Sequence, residues 1–120
     1  MQNSIIYLAP NLDNVNITYE NNIDFNVTQQ SNHMHIFRVL QELLSNSIRH
    51  GKATNISIRF DGGEASTCYY KDNGLGFSIN DPETKRGLGL KNIESRINLL
   101  NGTLTINSEI NKGTAVTFSF

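Results

Sequence analysis

The sequence predicts an α+β protein, a two-layer sandwich in which a mixed, mostly antiparallel sheet carries its helices on one face. Short segments with the alternating apolar and polar pattern of strands recur along the chain. Two segments with apolar residues at helical spacing lie between them. The length of 120 residues and the hydrophobic content of 38% suit a single domain with one core.

The first half of the chain contains strand and helix patterns in turn. Val15–Glu20 alternates as a strand does, and Ile23–Val27 repeats the pattern after Asn21 and Asn22, which predicts an antiparallel pair. A helix is predicted from about His33 to His50 because apolar residues recur there at helical spacing. Ser31 or Asn32 is expected to cap this helix, and Gly51 suits the position just past its end.

The second half begins with two predicted strands on either side of Gly62 and Gly63, the second of which runs into "KDNGLGFS". Residues 77–86 are expected to form a loop. A second helix is predicted by the spacing of Leu90, Ile93, Ile97 and Leu100, and Asn101-Gly102 ends it. The last two strands turn at Asn111-Lys112-Gly113.

Composition argues against several classes of function. The net charge of −1 and the isoelectric point near 6.3 provide no electrostatic basis for binding nucleic acid or anionic lipid. The single cysteine, Cys68, argues against a disulfide scaffold or a cysteine-rich metal site. No apolar run approaches the ~20 residues of a membrane span, and the N-terminus lacks the layout of a signal peptide. We therefore expect a cytoplasmic domain that contacts neither nucleic acid nor membrane.

Three polar residues lie along one border of the first helix. On a helical wheel with about 100° per residue, Glu42, Asn46 and His50 fall beside the apolar stripe and stack along the helix axis. Such a strip is often only a solvated helix edge. A carboxylate, an amide and an imidazole on one strip could also form one side of a ligand site.

Two glycine pairs strengthen the second interpretation. Asp72-Asn73-Gly74-Leu75-Gly76 follows a predicted strand, where a carboxylate can accept a hydrogen bond from an exocyclic amine such as that of a purine. Arg86-Gly87-Leu88-Gly89-Leu90 opens the second helix, and a helix N-terminus offers N–H groups to phosphates. Together they predict a nucleotide site.

Two commoner phosphate motifs do not fit. Gly74-Leu75-Gly76 is followed by Ile79 where a dinucleotide fingerprint requires its third glycine. Gly51-Lys52-Ala53-Thr54 lacks both the upstream glycine and the adjoining hydroxyl of a P-loop.

The ordered set resembles the ATPase superfamily shared by type II topoisomerases, a heat-shock chaperone, bacterial histidine kinases and mismatch-repair proteins, the GHKL superfamily with the Bergerat fold. "FRVLQELLSNSIRHG" resembles its N box, and "DNGLGF" and "RGLGLKNIESRINLLNGTLTINS" resemble its two glycine boxes. "KGTAVTFSF" resembles the last strand of histidine kinases. The short lid between Phe77 and Arg86 is most similar to a compact subgroup of sensor kinases.

The resemblance implies roles for individual residues. Asn46 would bind Mg²⁺, and Glu42 would support the metal through water or the transferred phosphoryl group, so that these two residues are the catalytic pair. Asp72 would accept the 6-amino group of adenine. The other ATP-binding residues that the resemblance implies are Arg49, His50, Gly74, Gly76, Arg86, Gly87, Leu88, Gly89, Leu90 and Thr114.

The resemblance also implies cofactors and partners. ATP and Mg²⁺ would be bound, and the γ-phosphoryl group would pass to a histidine on a separate dimerisation domain, with a response regulator downstream. We expect residues 13–120 to form the ATPase domain and residues 1–12 to be the remnant of a linker. An inner-membrane anchor elsewhere in the full-length protein is left open. His33 and His35 are interpreted as helix-start residues rather than phosphoacceptors, Tyr69 and Tyr70 as strand packing, and Cys68 as a small buried residue.

Two alternatives stay open from the sequence. An anti-sigma-factor-type serine kinase has a similar domain that works as a free-standing unit and transfers phosphate to a serine. A nucleotide-sensing interaction module would bind ATP without transferring phosphate.

Overall fold

The computed structural model describes residues 14–25 and 30–120, and the predicted linker remnant at residues 1–12 lies outside them. Five strands and three α-helices are described. The strands are β1 (Asn16–Asn22), β2 (Asn55–Asp61), β3 (Thr67–Asp72), β4 (Leu104–Ser108) and β5 (Thr114–Ser119). The α-helices are α1 (Gln30–Ser45), α2 (Pro82–Gly87) and α3 (Leu90–Leu99), and a π-helical turn, Asn46–His50, continues α1.

The strands form one mixed sheet in the order β1-β2-β3-β5-β4. β1 and β2 are parallel, and the other three pairs are antiparallel. The predicted mixed, mostly antiparallel sheet is therefore confirmed. The register pairs Asp72, the last residue of β3, with Thr114, the first residue of β5.

The helices cover one face of this sheet. Alternate residues of β2 and β3 are buried, and the residues between them are exposed, as expected when one face packs against helices and the other meets solvent. α1 and α3 supply the opposite side of the core, and the two helices also contact each other. The predicted two-layer α+β sandwich is confirmed. The largest fully buried side chains include Tyr70, Phe60, Phe118, Ile36 and Leu40.

The predicted hairpin of Val15–Glu20 with Ile23–Val27 is wrong. β1 continues to Asn22 and pairs in parallel with β2, and residues 23–25 contain no strand, while residues 26 and 27 lie outside the described part. The Asn21 side chain accepts a hydrogen bond from the Ile23 backbone N–H at 3.1 Å, which turns the chain away. The alternating pattern at 23–25 reflects burial, because Phe25 packs edge-on against Phe60 with ring centroids 5.1 Å apart.

The first helix differs from the prediction at both ends. α1 begins at Gln30, so Asn32 lies within the helix rather than capping it, and the side chain of Ser31 lies outside the described part. The last turn widens into the π-helical form, in which the Gly51 N–H donates to the Asn46 carbonyl at 2.8 Å. Gly51 follows the end as predicted. π-helical turns within helices are frequently found at functional sites.

The predicted loop at 77–86 contains the short helix α2. The Asp81 carboxylate caps it by accepting hydrogen bonds from the Glu83 N–H and the Thr84 hydroxyl, both at 3.0 Å, and Pro82 occupies its first turn. These contacts, with the Thr84 hydroxyl contributing most, lower the pKa of Asp81. Asp-Pro-Glu is a recognisable helix start, but the prediction relied on apolar spacing, which this exposed helix lacks.

Candidate functional site

A cavity of about 420 Å³ lies between the end of α1, the ends of β3 and β5, and the segment that carries α2 into α3. This volume is within the range of small-molecule sites. Eight of the residues that the sequence predicted for ATP line it: Asn46, His50, Asp72, Gly76, Gly87, Leu88, Leu90 and Thr114. Asn46 and Asp72 therefore face one shared space although 26 positions separate them in the chain.

Asp72 is held at one end of the cavity by a dense hydrogen-bond network. Its Oδ1 accepts from the backbone N–H groups of Gly74 at 2.9 Å and Thr114 at 3.1 Å. Its Oδ2 accepts from the Ser47 hydroxyl at 2.5 Å. The side chain is buried, with 6% of its surface exposed. Because a buried carboxylate must be hydrogen-bonded, these three donors allow it to sit in the floor of a ligand cavity.

Asn46 lies where the π-helical turn meets the second glycine segment. Its side-chain Nδ2 donates to the Leu88 carbonyl at 2.7 Å, which ties the end of α1 to the segment before α3. Only the nitrogen of the amide can donate to a carbonyl, so this contact fixes the orientation of the group. The amide oxygen is therefore the atom that Asn46 can offer to a ligand.

Glu42 does not line the cavity and lies instead beside Gly89 of the second glycine segment. It lies in an outer groove between α1 and α3, which is lined by Arg38, Gln41, Glu42, Asn92, Ile93 and Arg96. A Cβ at Gly89 would stand 2.3 Å from the Glu42 Oε1, and Gly89 has a φ of +66°, so a glycine suits this position on both counts. The predicted strip of three polar residues is thus divided, since Asn46 and His50 line the cavity and Glu42 does not.

Gly76 shapes the wall of the cavity near Asp72. Its φ is +64°, and a Cβ there would stand 2.0 Å from the Glu109 carbonyl oxygen. The neighbouring Phe77 N–H donates to the Ser108 hydroxyl at 2.9 Å, and that hydroxyl lies 2.8 Å from the hydroxyl of Thr114. The first glycine loop is therefore fastened to the β4–β5 end of the sheet.

Besides Glu42, the cavity lining lacks four predicted residues, which are Arg49, Gly74, Arg86 and Gly89. Arg49 is exposed on the π-helical turn, and Arg86 lines a separate surface depression on the outer side of α2 and α3. Gly74 packs behind the site, where a Cβ would stand 2.6 Å from the Gly51 carbonyl oxygen. Gly74 nonetheless contributes through its N–H to Asp72.

Sequence reasoning missed other residues around the cavity. Ser47 and Tyr70 form a hydroxyl pair 2.5 Å apart next to Asp72, and the Tyr70 hydroxyl also lies 3.0 Å from the Leu43 carbonyl oxygen. Tyr70 is buried, as strand packing predicts, and burial raises the pKa of its hydroxyl. The alternation of β3 could have placed Tyr70 on the face of Asp72, but the position of Ser47 depends on the π-helical turn. The rest of the missed lining is Leu43, Gly51, Phe77, Ser78, Asp81, Thr84, Ile106, Ile110 and Val116.

The cavity fits a purine nucleotide in its chemistry. The Asp72 end combines one carboxylate with apolar walls from Leu43, Ile106 and Val116, as a flat base with an exocyclic amine requires. The Asn46 end meets the glycine segment that leads into the ten-residue helix α3. An amide oxygen at this end is a suitable ligand for Mg²⁺, which prefers hard oxygen donors and keeps several waters.

Within residues 14–25 and 30–120, no helix is both long and apolar enough to cross a bilayer.

Comparisons with known proteins agree with this geometry. Residues 31–120 match the family model described as "Histidine kinase-, DNA gyrase B-, and HSP90-like ATPase". The chain is 33% identical over 84 residues to the signal transduction histidine-protein kinase/phosphatase DegS of Bacillus subtilis (strain 168), a match that covers 68% of this chain and 22% of DegS. It is 35% identical over 83 residues to the oxygen sensor histidine kinase NreB of Staphylococcus carnosus (strain TM300), covering 68% of this chain and 24% of NreB.

A solved structure has the same fold. The blue-light activated histidine kinase EL346 of Erythrobacter litoralis superposes with a TM-score of 0.79 at 16% identity, over 98% of this chain and 38% of that one. The chain spans about a quarter of the length of the curated relatives that it matches. Because the family model covers residues 31–120, the chain belongs to the family of histidine kinase-, DNA gyrase B- and HSP90-like ATPases.

Proposed function

We propose that this chain is the ATP-binding catalytic domain of a sensor histidine kinase, with residues 13–120 as the domain and residues 1–12 as the remnant of a linker. The observation that carries the proposal is that Asp72 and Asn46 line one cavity from different elements. One carboxylate and one amide at separate points of a site can hold the base and the charged tail of a single nucleotide.

At the base end, Asp72 would accept a hydrogen bond from the 6-amino group of adenine. Its two oxygens provide about four acceptor positions. Three of these are taken by the Ser47 hydroxyl and by the N–H groups of Gly74 and Thr114. One position on Oδ2 therefore remains for the ligand. Gly76 and Thr114 would bound the base on the side of the sheet.

At the phosphate end, the Asn46 oxygen would hold Mg²⁺, which when bound would neutralise phosphate charge. Gly87 and Gly89 would let the triphosphate approach the backbone closely, while Leu88 and Leu90 anchor the segment in the core. His50 would contact the nucleotide from the cavity rim. Arg49 and Arg86 would reach the phosphates only if their side chains turn towards the cavity.

The proposed reaction moves the γ-phosphoryl group from ATP to a histidine ring nitrogen on a dimerisation domain. The bond from phosphorus to the bridging β-phosphate oxygen breaks, a phosphorus–nitrogen bond forms, and ADP leaves. Glu42, beside Gly89 in the outer groove, would accept the proton that the histidine ring loses as this bond forms. The phosphohistidine would then serve a response regulator. We place this domain in the cytoplasm, where ATP is available.

Two experiments test the proposal. Isothermal titration of the chain with Mg-ATP should give saturable one-to-one binding, and no binding at millimolar nucleotide would refute it. Full-length protein incubated with γ-labelled ATP should form an acid-labile, base-stable phosphoprotein, whereas the chain alone should form none. Acid-stable phosphoserine on a small antagonist protein would instead support the serine kinase. ATP binding without any transfer by the full-length protein would support the sensing module.

The matched relatives favour the histidine acceptor over these alternatives. DegS and NreB are both named as histidine kinases, and both are much longer than this chain. A free-standing serine kinase would not require the additional domains that such lengths imply.

A further inference from the structure

Asp72 does not stand alone at the base end of the cavity. The Ser47 hydroxyl lies 2.5 Å from the Asp72 Oδ2 and 2.5 Å from the Tyr70 hydroxyl, and the Tyr70 hydroxyl lies 3.0 Å from the Leu43 carbonyl oxygen. Ser47 and Tyr70 are each only 2% exposed. These contacts form a continuous buried chain from the end of α1 to the carboxylate.

The number of protons in this series of hydrogen bonds fixes the direction of each bond. Serine and tyrosine hydroxyls each supply one proton and can accept others. The Ser47 hydroxyl donates to the Oδ2 of Asp72, so its single proton is already used there. Two oxygens 2.5 Å apart require a proton between them, and because the Ser47 proton lies at Asp72, the proton between Ser47 and Tyr70 must come from Tyr70. Tyr70 therefore donates to Ser47, and Ser47 donates to Asp72.

We propose that Ser47 and Tyr70 are positioning residues that make this site selective for a purine carrying a 6-amino rather than a 6-oxo group. This proposal rests on the proposed function. With its proton directed to Asp72 and one lone pair accepting from Tyr70, Ser47 can present only its remaining lone pair to the ligand. The remaining position on Oδ2 is also an acceptor. A 6-amino group can donate to both of these acceptors, Ser47 and the Asp72 Oδ2. The oxygen of a 6-oxo group cannot donate and would face two other acceptors without a proton between them.

Ser47 is well placed for this role because of the π-helical turn. Ser47 and Asn46 are adjacent in the chain, yet both line the cavity, Asn46 at the glycine segment and Ser47 beside Asp72. Tyr70 reaches Ser47 because β3 places Tyr70 and Asp72 two residues apart on the same face of the sheet. The π-helical turn and the end of β3 together fix the direction of the hydrogen bonds at the site that would accept the ligand.

The experiment measures binding of ATP and of ITP, whose base carries the 6-oxo group, by isothermal titration in the presence of Mg²⁺. Ser47→Ala removes the hydroxyl and leaves space for a water that can donate to a 6-oxo group. We expect it to lower the ratio of ATP to ITP affinity by about tenfold. Tyr70→Phe leaves Ser47 in place but frees it to turn, and we expect a fall of about threefold in the same ratio. Ser47→Thr keeps the hydroxyl and should restore most of the selectivity.

Matched controls lie on the exposed face of the same sheet. Ser57→Ala and Tyr69→Phe remove the same groups from exposed strand positions and should leave the ratio unchanged. Equal losses for ATP and ITP in Ser47→Ala would indicate a merely structural role and would overturn the proposal. So would an unchanged ratio in both variants. If Ser47→Ala fails to fold by thermal melting, the Tyr70→Phe ratio decides alone. Failure of the unmodified chain to bind ATP would instead overturn the proposed function.

Discussion

Replacing Asp72 by asparagine should separate nucleotide recognition from folding. In Asp72→Asn the amide oxygen must stay towards the N–H groups of Gly74 and Thr114, because an amide nitrogen cannot accept from them. The new amide nitrogen then takes the place of Oδ2 and donates to the Ser47 hydroxyl. Ser47 can turn its own proton to Tyr70, and Tyr70 can turn its proton to the Leu43 carbonyl oxygen. Each contact in the chain still holds a proton, so we expect the fold to be retained.

The ligand, however, meets a different group. The position that would accept the 6-amino group of adenine becomes an N–H donor, so the complex loses a hydrogen bond to a charged group. Such bonds contribute about 1.5–3 kcal/mol, which corresponds to a fall in ATP affinity of about 10- to 150-fold. The same N–H can donate to a 6-oxo group. ITP should therefore bind Asp72→Asn more tightly than it binds the unmodified chain.

The assay is isothermal titration of both nucleotides, together with thermal melting of each variant. Asp61→Asn is the matched control, because Asp61 is a strand-end carboxylate that pairs with Arg59 at 2.8 Å away from the cavity. It should leave the affinities for ATP and ITP unchanged. If Asp72→Asn binds ATP as tightly as the unmodified chain, the carboxylate does not hold the base. A large fall in the melting temperature of Asp72→Asn would show that the hydrogen bonds of Ser47 and Tyr70 cannot reverse direction as described.

Three further outcomes are expected. Gly76→Ala should lower the melting temperature by at least about 6 °C, because the positive φ of Gly76 and the nearby Glu109 carbonyl both oppose a Cβ. Gly62→Ala is the control and should be nearly neutral, because the nearest atom to a Cβ at Gly62 is 3.6 Å away. Equal melting temperatures for the two variants would contradict this reasoning. Asn46→Ala should remove the Mg²⁺ dependence of ATP affinity, measured with Mg²⁺ and with a chelator, and a persisting dependence would place the metal elsewhere. Burial raises the pKa of the Cys68 thiol, so this thiol ionises in the unfolded chain at a lower pH than in the folded protein. The stability that the buried neutral thiol contributes is therefore complete below about pH 8.5 and declines as the pH rises above that value. Denaturant unfolding curves between pH 7.5 and 10 should show this decline in the free energy of unfolding. Cys68→Ala should lack the part of the decline that comes from the thiol.

Much of the fold could be predicted from local pattern. The alternation in β2 and β3, the apolar spacing of α3, and the turn at Asn111-Lys112-Gly113 each depend on residues close in sequence, and all are confirmed. The hairpin prediction failed because alternation indicates which residues are buried but not what they pair with. Val15–Glu20 carries no signal that its partner is β2, more than thirty residues away and parallel to it.

The candidate site divides in the same way. The sequence by itself determined which chemical groups are available, since a carboxylate after a strand, an amide within an amphipathic helix and glycines at loop positions are local features. Only the tertiary structure decided their grouping. A widened turn at Asn46–His50 brings Ser47 to Asp72, and Glu42 lies beside Gly89 in a groove apart from the cavity. Both outcomes depend on how helices pack on the sheet, and packing is settled by contacts between residues distant in sequence.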